Sequence, residues 1–293
     1  MSVNLPSHFA QQYATNIQLL LQQKGSRLRD KVMMGTHSGE QASPVDQVGS
    51  VEMQEVTSRF APMGRVDAAV DRRWVLPTSF DLPQLVDKFD ELKMITDPKS
   101  KFVENAVAAA GRKIDQLIIA AFFGTAKTGK TGSTSTTFPA GQEIAVAFGA
   151  SGDVGVTVAK LREAKRILMA NEVDLENDPI FAALTATGHD NLLAEAQVVS
   201  TDFNDRPVLV DGKLTRFLGI NFVHTELLEL SSGDTMVPVW AKSGMHLGVW
   251  GDIQTSISQR HDLQGEPWQA YVKMTMGATR LEEDKIVKIL ANV

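Results

Sequence analysis

One eight-residue run has the composition of a chemical site. Gly124-Thr125-Ala126-Lys127-Thr128-Gly129-Lys130-Thr131 fits G-x-x-x-x-G-K-[ST], the loop whose backbone N–H groups cradle nucleotide phosphates while its lysine and hydroxyl reach the outer phosphates and magnesium. That chemistry needs a strand to deliver the loop and a helix to start directly after it, so that converging N–H groups and the helix N-terminus meet the phosphates. Neither flank suits. Residues 117–123 continue a helical spacing, and Thr131 is followed by Gly132-Ser133-Thr134-Ser135-Thr136-Thr137-Phe138-Pro139, which cannot open a helix. Pro207-Val208-Leu209-Val210-Asp211 imitates an apolar strand ending in a magnesium-binding aspartate, yet Gly212-Lys213 makes a hairpin turn the simpler reading. Residues 124–131 are therefore expected to form a flexible surface loop, with a P-loop nucleotide-binding enzyme as the alternative.

Other constellations are weaker. Calcium loops place acidic residues at alternate positions with a turn glycine at the sixth. Asp202, Asn204 and Asp205 run into Arg206-Pro207, and Asp174, Glu176 and Asp178 run into Pro179, so both read as turns and caps. His8, His37, His189, His224, His246 and His261 show no H-E-x-x-H spacing. Lys242-Ser243-Gly244 beside His246 is a fragment of a nucleophile elbow and fits a turn between strands better. The basic clusters Lys24, Arg27, Arg29, Lys31 and Lys160, Arg162, Lys165, Arg166 have acidic neighbours (Asp30 and Glu163) and no interleaved aromatics for base stacking. They read as solvated or subunit-facing surfaces. No catalytic constellation, cofactor site or metal site is expected.

The elements that would position any site follow from periodicity. Residues 6–24, with Pro6 near the start and Phe9, Tyr13, Ile17, Leu20 and Leu21 at three- and four-residue spacings, read as an amphipathic helix closed by Gly25. Residues 33–81 are broken by Gly35, Gly39, Pro44, Gly49, Pro62, Gly64 and Pro77. They predict an extended two-stranded excursion with short segments at 51–60 and 66–76. Leu82, Leu85, Val86, Phe89 and Leu92 predict a helix over 82–95. Asp97-Pro98 caps a second, which keeps its period through Val103, Ala106, Val107, Ala110, Ile114, Leu117, Ile118 and Ala121 until Gly124. Residues 125–142 are a Thr/Ser/Gly/Lys stretch with little to bury. Helical spacing returns over 156–170. Period-two alternation then marks antiparallel strands at Ile253, Thr255, Ile257 and at Trp268, Ala270, Val272, Met274, Met276.

Composition bounds the function. The 293 residues are 43% hydrophobic and 22% charged, an ordinary globular balance; a compact monomer of this mass would expose roughly 12,000 Å². The absence of cysteine removes disulfides and thiolate chemistry and fits a reducing cytoplasm. A net charge of −6 offers no global basic field for nucleic acid. The sequence shows neither a membrane-spanning apolar run nor a signal-peptide pattern near Met1, so neither insertion nor secretion is expected.

Several segments, in order, resemble the major capsid protein family of tailed bacteriophages: Gln22-Gln23-Lys24-Gly25-Ser26-Arg27-Leu28-Arg29, Asp71-Arg72-Arg73, Asp97-Pro98, Gly111-Arg112-Lys113-Ile114-Asp115 and Gly277-Ala278-Thr279-Arg280-Leu281-Glu282-Glu283. The resemblance covers nearly the whole chain. It implies an α+β capsid fold of the Hong Kong phage ninety-seven type. The expected segments are an N-terminal arm (1–30), an extended loop (31–81), a peripheral domain (82–178) with a spine helix (98–123), an axial domain (179–249) and peripheral return strands (250–293). It further implies a non-enzymatic virion protein that self-assembles into pentamers and hexamers in the host cytoplasm. Its partners would be a separate scaffolding protein, a portal protein and a decoration protein, and it would enclose double-stranded DNA without sequence-specific binding. Independently, a 49-residue excursion (33–81) this rich in glycine and proline needs a neighbour to cover its apolar residues. Pairing of Arg72 and Arg73 with Asp87, Asp90 and Glu91 is the guess for its rim contacts.

Overall fold

The computed structural model describes residues 22–39, 42–55, 58–59, 64–86, 99–195, 198 and 214–292. Outside them lie residues 6–21 of the expected first helix, Phe60, Asp97-Pro98, the Asp87/Asp90/Glu91 group, the Asp202–Asp205 cluster, the 207–213 segment and His8.

The central periodic stretch folds as α1 (Lys99–Phe123), roughly 37 Å long at 1.5 Å per residue. Its inner stripe of Ala106, Ala110, Ile114, Ile118 and Phe122 is buried. The stripe packs on a four-stranded sheet ordered β1 (Met33–Thr36), β13 (Met245–Gln259), β14 (Trp268–Arg280), β4 (Thr78–Val86). The alternation in β14 is as expected, with Ala270, Val272, Met274 and Met276 buried. Its counterpart in β13 is not half-buried: Ile253 is partly covered, but Thr255 and Ile257 are exposed.

A second sheet has the order β7 (Glu143–Ile144), β15 (Ile286–Ala291), β12 (Asp234–Ala241), β8 (Ile180–Leu184), β10 (Ile220–His224), β9 (Arg216–Phe217), with β11 (Leu230–Ser231) beside β12. On one face lie α2 (Val158–Ala170), capped by the Thr157 hydroxyl, and α3 (Ala186–Ala194), capped by Thr185. Strand β8 is buried at every residue because Ile180, Ala182 and Leu184 face α2 while Phe181 and Ala183 face the α1 core. Burial on both faces explains its unbroken apolar run. Accordingly α2 packs on the sheet that carries residues 180–184 and 220–241, and β15 is one of that sheet's own strands.

The third sheet, β2 (Ser43–Val48), β3 (Val70–Val75), β5 (Ala126–Thr128), β6 (Thr134–Thr136), carries the extended excursion. The expected two-stranded character is there as the antiparallel β2–β3 pair. Residues 51–55 form no strand, however, and β1 leaves the excursion to pair in parallel with β13.

Two further elements differ from expectation. Residues 82–86 are strand, not helix: Phe80, Leu82 and Gln84 turn inward while Asp81, Pro83 and Leu85 face out. Pro83 is the decisive residue, since it would break a helix interior but is tolerated on an edge strand. Residues 125–142 are not a featureless loop, because β5 and β6 form a hairpin in which Ala126 and Thr128 are buried. Threonine, whose branched Cβ favours strands, makes up much of that run.

Candidate assembly site at the roots of the projecting segments

The nucleotide-loop look-alike is dismantled by its secondary structure. Helix α1 ends at Phe123, the Gly124 N–H bonds to the Ala120 carbonyl, and residues 126–128 spend their backbone groups on β3 and β6. Gly129 (φ +82°) and Gly132 (φ +70°) make the turn, Lys127 Nζ donates to Ser135 Oγ at 2.8 Å, and the Trp74 indole N–H donates to the Gly129 carbonyl at 2.7 Å. No helix opens after Thr131, so the converging donors of a phosphate cradle are not assembled.

The other sequence candidates are held in structural roles. Ser243 donates through its N–H and Oγ to Asp178, and Asp174 accepts from the N–H groups of Glu176 and Asn177. His189 accepts from the Leu214 N–H, His224 bonds Arg27 and Glu226, and His261 lies 3.6 Å from Glu266. No group of three or more metal-ligating side chains occurs among the described residues. The first basic cluster is committed within the chain. Lys24 pairs with Glu104, Arg27 donates to the His224 carbonyl, Arg29 holds Asp252 with two bonds of 2.9 and 2.7 Å, and Lys31 lies over the Phe181 ring. Hydrogen bonding to Arg29 keeps the Asp252 carboxyl below its usual range. In the second cluster Arg166 pairs with Glu163 and Lys165 donates to the Leu218 carbonyl. Lys160 is not a surface group: it is fully buried and donates to the carbonyls of Val154, Gly155 and Leu290, and burial pushes its pKa down to about 8.

Two joints missed at the level of sequence stand out. The first mounts residues 22–28 on α1. Asp115, fully buried, accepts from Gln23 Nε2 (2.5 Å), Ser26 Oγ (2.5 Å), Arg27 N (3.0 Å) and Leu28 N (3.1 Å). Arg112 donates to the Gln22 side chain and the Gln23 carbonyl. The chain crosses the helix at Gly25 (φ +74°), so close that a Cβ on Gly111 would lie 2.4 Å from the Gly25 carbonyl carbon.

The second joint mounts the returning strand of the excursion. Glu283 accepts from Arg73 Nη2 at 2.6 Å and from Arg280 Nε at 3.1 Å. Arg280 is fully buried; its remaining donors bond the carbonyls of Phe122, Gly124 and Thr136 at 2.8, 2.9 and 3.2 Å. A cation thus closes the carbonyl end of α1, where the helix leaves acceptors unpaired and its dipole favours positive charge. Burial lowers the Arg280 pKa while Glu283 opposes that shift. Beyond Val75 the chain presses onto β14: a Cβ on Gly277 would sit 2.1 Å from the Leu76 carbonyl oxygen. The guess for Arg72 and Arg73 named Asp87, Asp90 and Glu91, which lie outside the described residues. Among the described residues Arg72 pairs with Asp46 on the adjacent strand and Arg73 with Glu283.

Four of the five segments that carry the resemblance therefore meet in pairs, 22–29 with 111–115 and 71–73 with 277–283; Asp97-Pro98 lies outside the described residues. Beyond the joints, Val48, Val51, Met53, Val66 and Val70 are exposed, Met53 completely. Such apolar exposure at the end of a mounted segment marks a contact surface.

A family profile described as phage capsid protein matches residues 5–293. No curated protein matches the chain in sequence. Among solved structures, the capsid of the cyanophage P-SCSP1u is similar at 17% identity with a TM-score of 0.76, covering 97% of this chain and 93% of that one. The capsid asymmetric unit of cyanophage Pam1 is similar at 10% identity and TM-score 0.72, covering 99% of each chain. The capsid of a native gene transfer agent particle follows at 12% identity and TM-score 0.68, covering 100% and 99%. The α+β fold is thus the tailed-phage capsid fold of the Hong Kong phage ninety-seven type.

Proposed function

The chain belongs to the phage capsid protein family and is a major capsid protein, and from that premise we propose that its copies close into the pentamers and hexamers of an icosahedral tailed-phage head around double-stranded DNA. One observation carries the reading of how it does so: the excursion is fixed rigidly at its root and exposed at its end. Val48, Val51, Met53, Val66 and Val70, exposed beyond the roots, are available for neighbours. Heterologous contacts of one patch on another close into rings when the rotation permits, and rings tile a shell.

In this reading residues 1–30 are the arm, 37–77 the loop that lies on a neighbouring copy, α1 the spine, and the seven-stranded sheet with α2 and α3 the axial part. The role is structural and not enzymatic. With a net charge of −6 the DNA is confined rather than gripped. A scaffolding protein, a portal protein and a decoration protein are the further partners this reading implies, with assembly in the host cytoplasm before the protein becomes part of the virion. The test is deletion of residues 49–69, which spares both joints and the β2–β3 pair. The deleted chain should stay soluble while closed shells, seen by negative-stain microscopy for the intact chain, disappear. Intact shells from the deletion would overturn the loop's role, and an intact chain that never associates would overturn the shell reading itself.

A further inference from the structure

The outgoing root of the loop is fastened by a pair of histidines that neither joint uses. Gly35, Gly248 and Gly277 stand in register across β1, β13 and β14, and the pair sits in the space that the first two leave. A Cβ on Gly35 would lie 2.7 Å from His246 Cε1, and one on Gly248 would lie 2.8 Å from His37 Cδ2. His37 Nε2 is 2.9 Å from His246 Nε2, and His37 Nδ1 is 2.7 Å from Ser43 Oγ. The His37 ring also stacks on Trp250, with centroids 4.9 Å apart and planes 26° apart. His37 follows β1, Ser43 opens β2 and His246 belongs to β13, so this chain of contacts ties the departing segment to the sheet beneath it.

We propose that the His37–His246 hydrogen bond is an acid-opened latch on the outgoing root of the loop, closed while the facing nitrogens share one proton and opened when both rings are protonated. A hydrogen bond between two imidazoles needs one N–H and one lone pair. The hydroxyl of Ser43 adapts to either tautomer of His37, since it can donate or accept. With both rings cationic, two N–H groups and two positive charges would face each other. Burial disfavours charge on either ring: it pushes His246 down to about 4, with His37 adding to the shift, and it lowers His37 as well.

Among the described residues no neighbouring group offers relief. Strand β1 carries no titratable side chain. On β2 and β3, Asp46 is bonded to Arg72 and Arg73 to Glu283, and Asp71 is exposed. On β13, Asp252 is bonded to Arg29; on β14, Arg280 is bonded to Glu283, Tyr271 lies within reach of Asp81 and Lys273 is exposed. Among the described residues neither His37 nor His246 has an ion-pair partner.

The sign follows from linkage. Both native pKa values lie below the ordinary 6.5, so the opened root binds more protons than the closed one, and closure weakens as pH falls below about 6.5. Opening should therefore grow as pH falls below about 6.5, until His246 in the closed pair itself takes up a proton near pH 4. Hydrogen exchange reads this at the His37 N–H, which bonds to the Val249 carbonyl at 2.9 Å, with α1 amides of the same sample as reference. In the intact chain the logarithm of the opening constant should rise as pH falls from about 6.5 to 4.5, with a slope of about one or more. It should be shallower in His246→Gln and zero in the double variant His37→Gln/His246→Gln. If His246→Gln is already open at pH 7, the slope of the unsubstituted chain decides alone. A flat profile there, or an equally steep one in the double variant, overturns the latch. The result concerns the subunit and is independent of whether shells form.

Discussion

The two joints hold their segments with opposite arrangements of charge. At Asp115 one buried carboxylate is surrounded by an amide, a hydroxyl and two backbone N–H groups, all neutral and all from residues 23–28. At Glu283 one carboxylate stands between two guanidiniums, and the excess positive charge is absorbed by three carbonyls at the end of α1 and in β6. The arm joint is therefore local on one side, formed whenever a short turn with a left-handed Gly25 meets the helix. The loop joint draws on four segments at once and exists only when the fold is complete. At that joint Arg73 Nε and Nη1 are buried and without a hydrogen-bond partner among the described residues.

That contrast can be tested by removing each anion. Glu283→Ala should have the largest effect, a loss of about 3–5 kcal/mol in denaturant unfolding, because it strands two buried cations. Arg73→Met in the same background should recover part of the loss. If it recovers nothing, charge is not what the joint balances. Asp115→Asn should cost less, about 1.5–3 kcal/mol, since the amide keeps the shape and one acceptor oxygen but turns its N–H groups toward donors. Its signature should be faster hydrogen exchange confined to residues 23–28, with α1 unchanged; uniform acceleration would mean that the arm joint is part of the global fold and that the contrast fails. Lys130→Ala should be nearly silent, within about 0.5 kcal/mol. Calorimetry with ATP and magnesium should show no heat above dilution in either form, whereas saturable binding abolished by this substitution would return a ligand to the hairpin.

The sequence made legible what rests on period. Helices α1 and α2 and strand β14 follow from apolar residues that recur at 3.6 or 2 because each buries one face. It misled where one set of residues satisfies two periods. Leu82 and Leu85 fit a helix, yet Phe80, Leu82 and Gln84 fit the strand that forms, and Pro83 was the available signal. The β5–β6 hairpin was hidden by composition, because threonine both fills loops and favours strands. The joints were invisible as relations. Asp115, Arg280 and Glu283 lie in segments that carry the family resemblance, but spacing along the chain cannot show that residue 23 meets 115 or that 73 meets 283. The one local hint was a carboxylate at Asp115 directly beside Ile114 in the stripe that α1 buries.

Both joints engage the same helix. Asp115 holds the arm near the middle of α1, and Arg280 grips the carbonyls of Phe122 and Gly124 at its end, roughly 13 Å further along at 1.5 Å per residue. A hydrogen-bonded helix is stiff over that distance. Tension on the loop is transmitted through Arg73, Glu283 and Arg280 to the end of a lever whose other attachment is the root of the arm. A neighbour that pulls one projection exerts a torque on the other, so in a closed shell the strain borne by each copy would be shared with the copies on both sides of it.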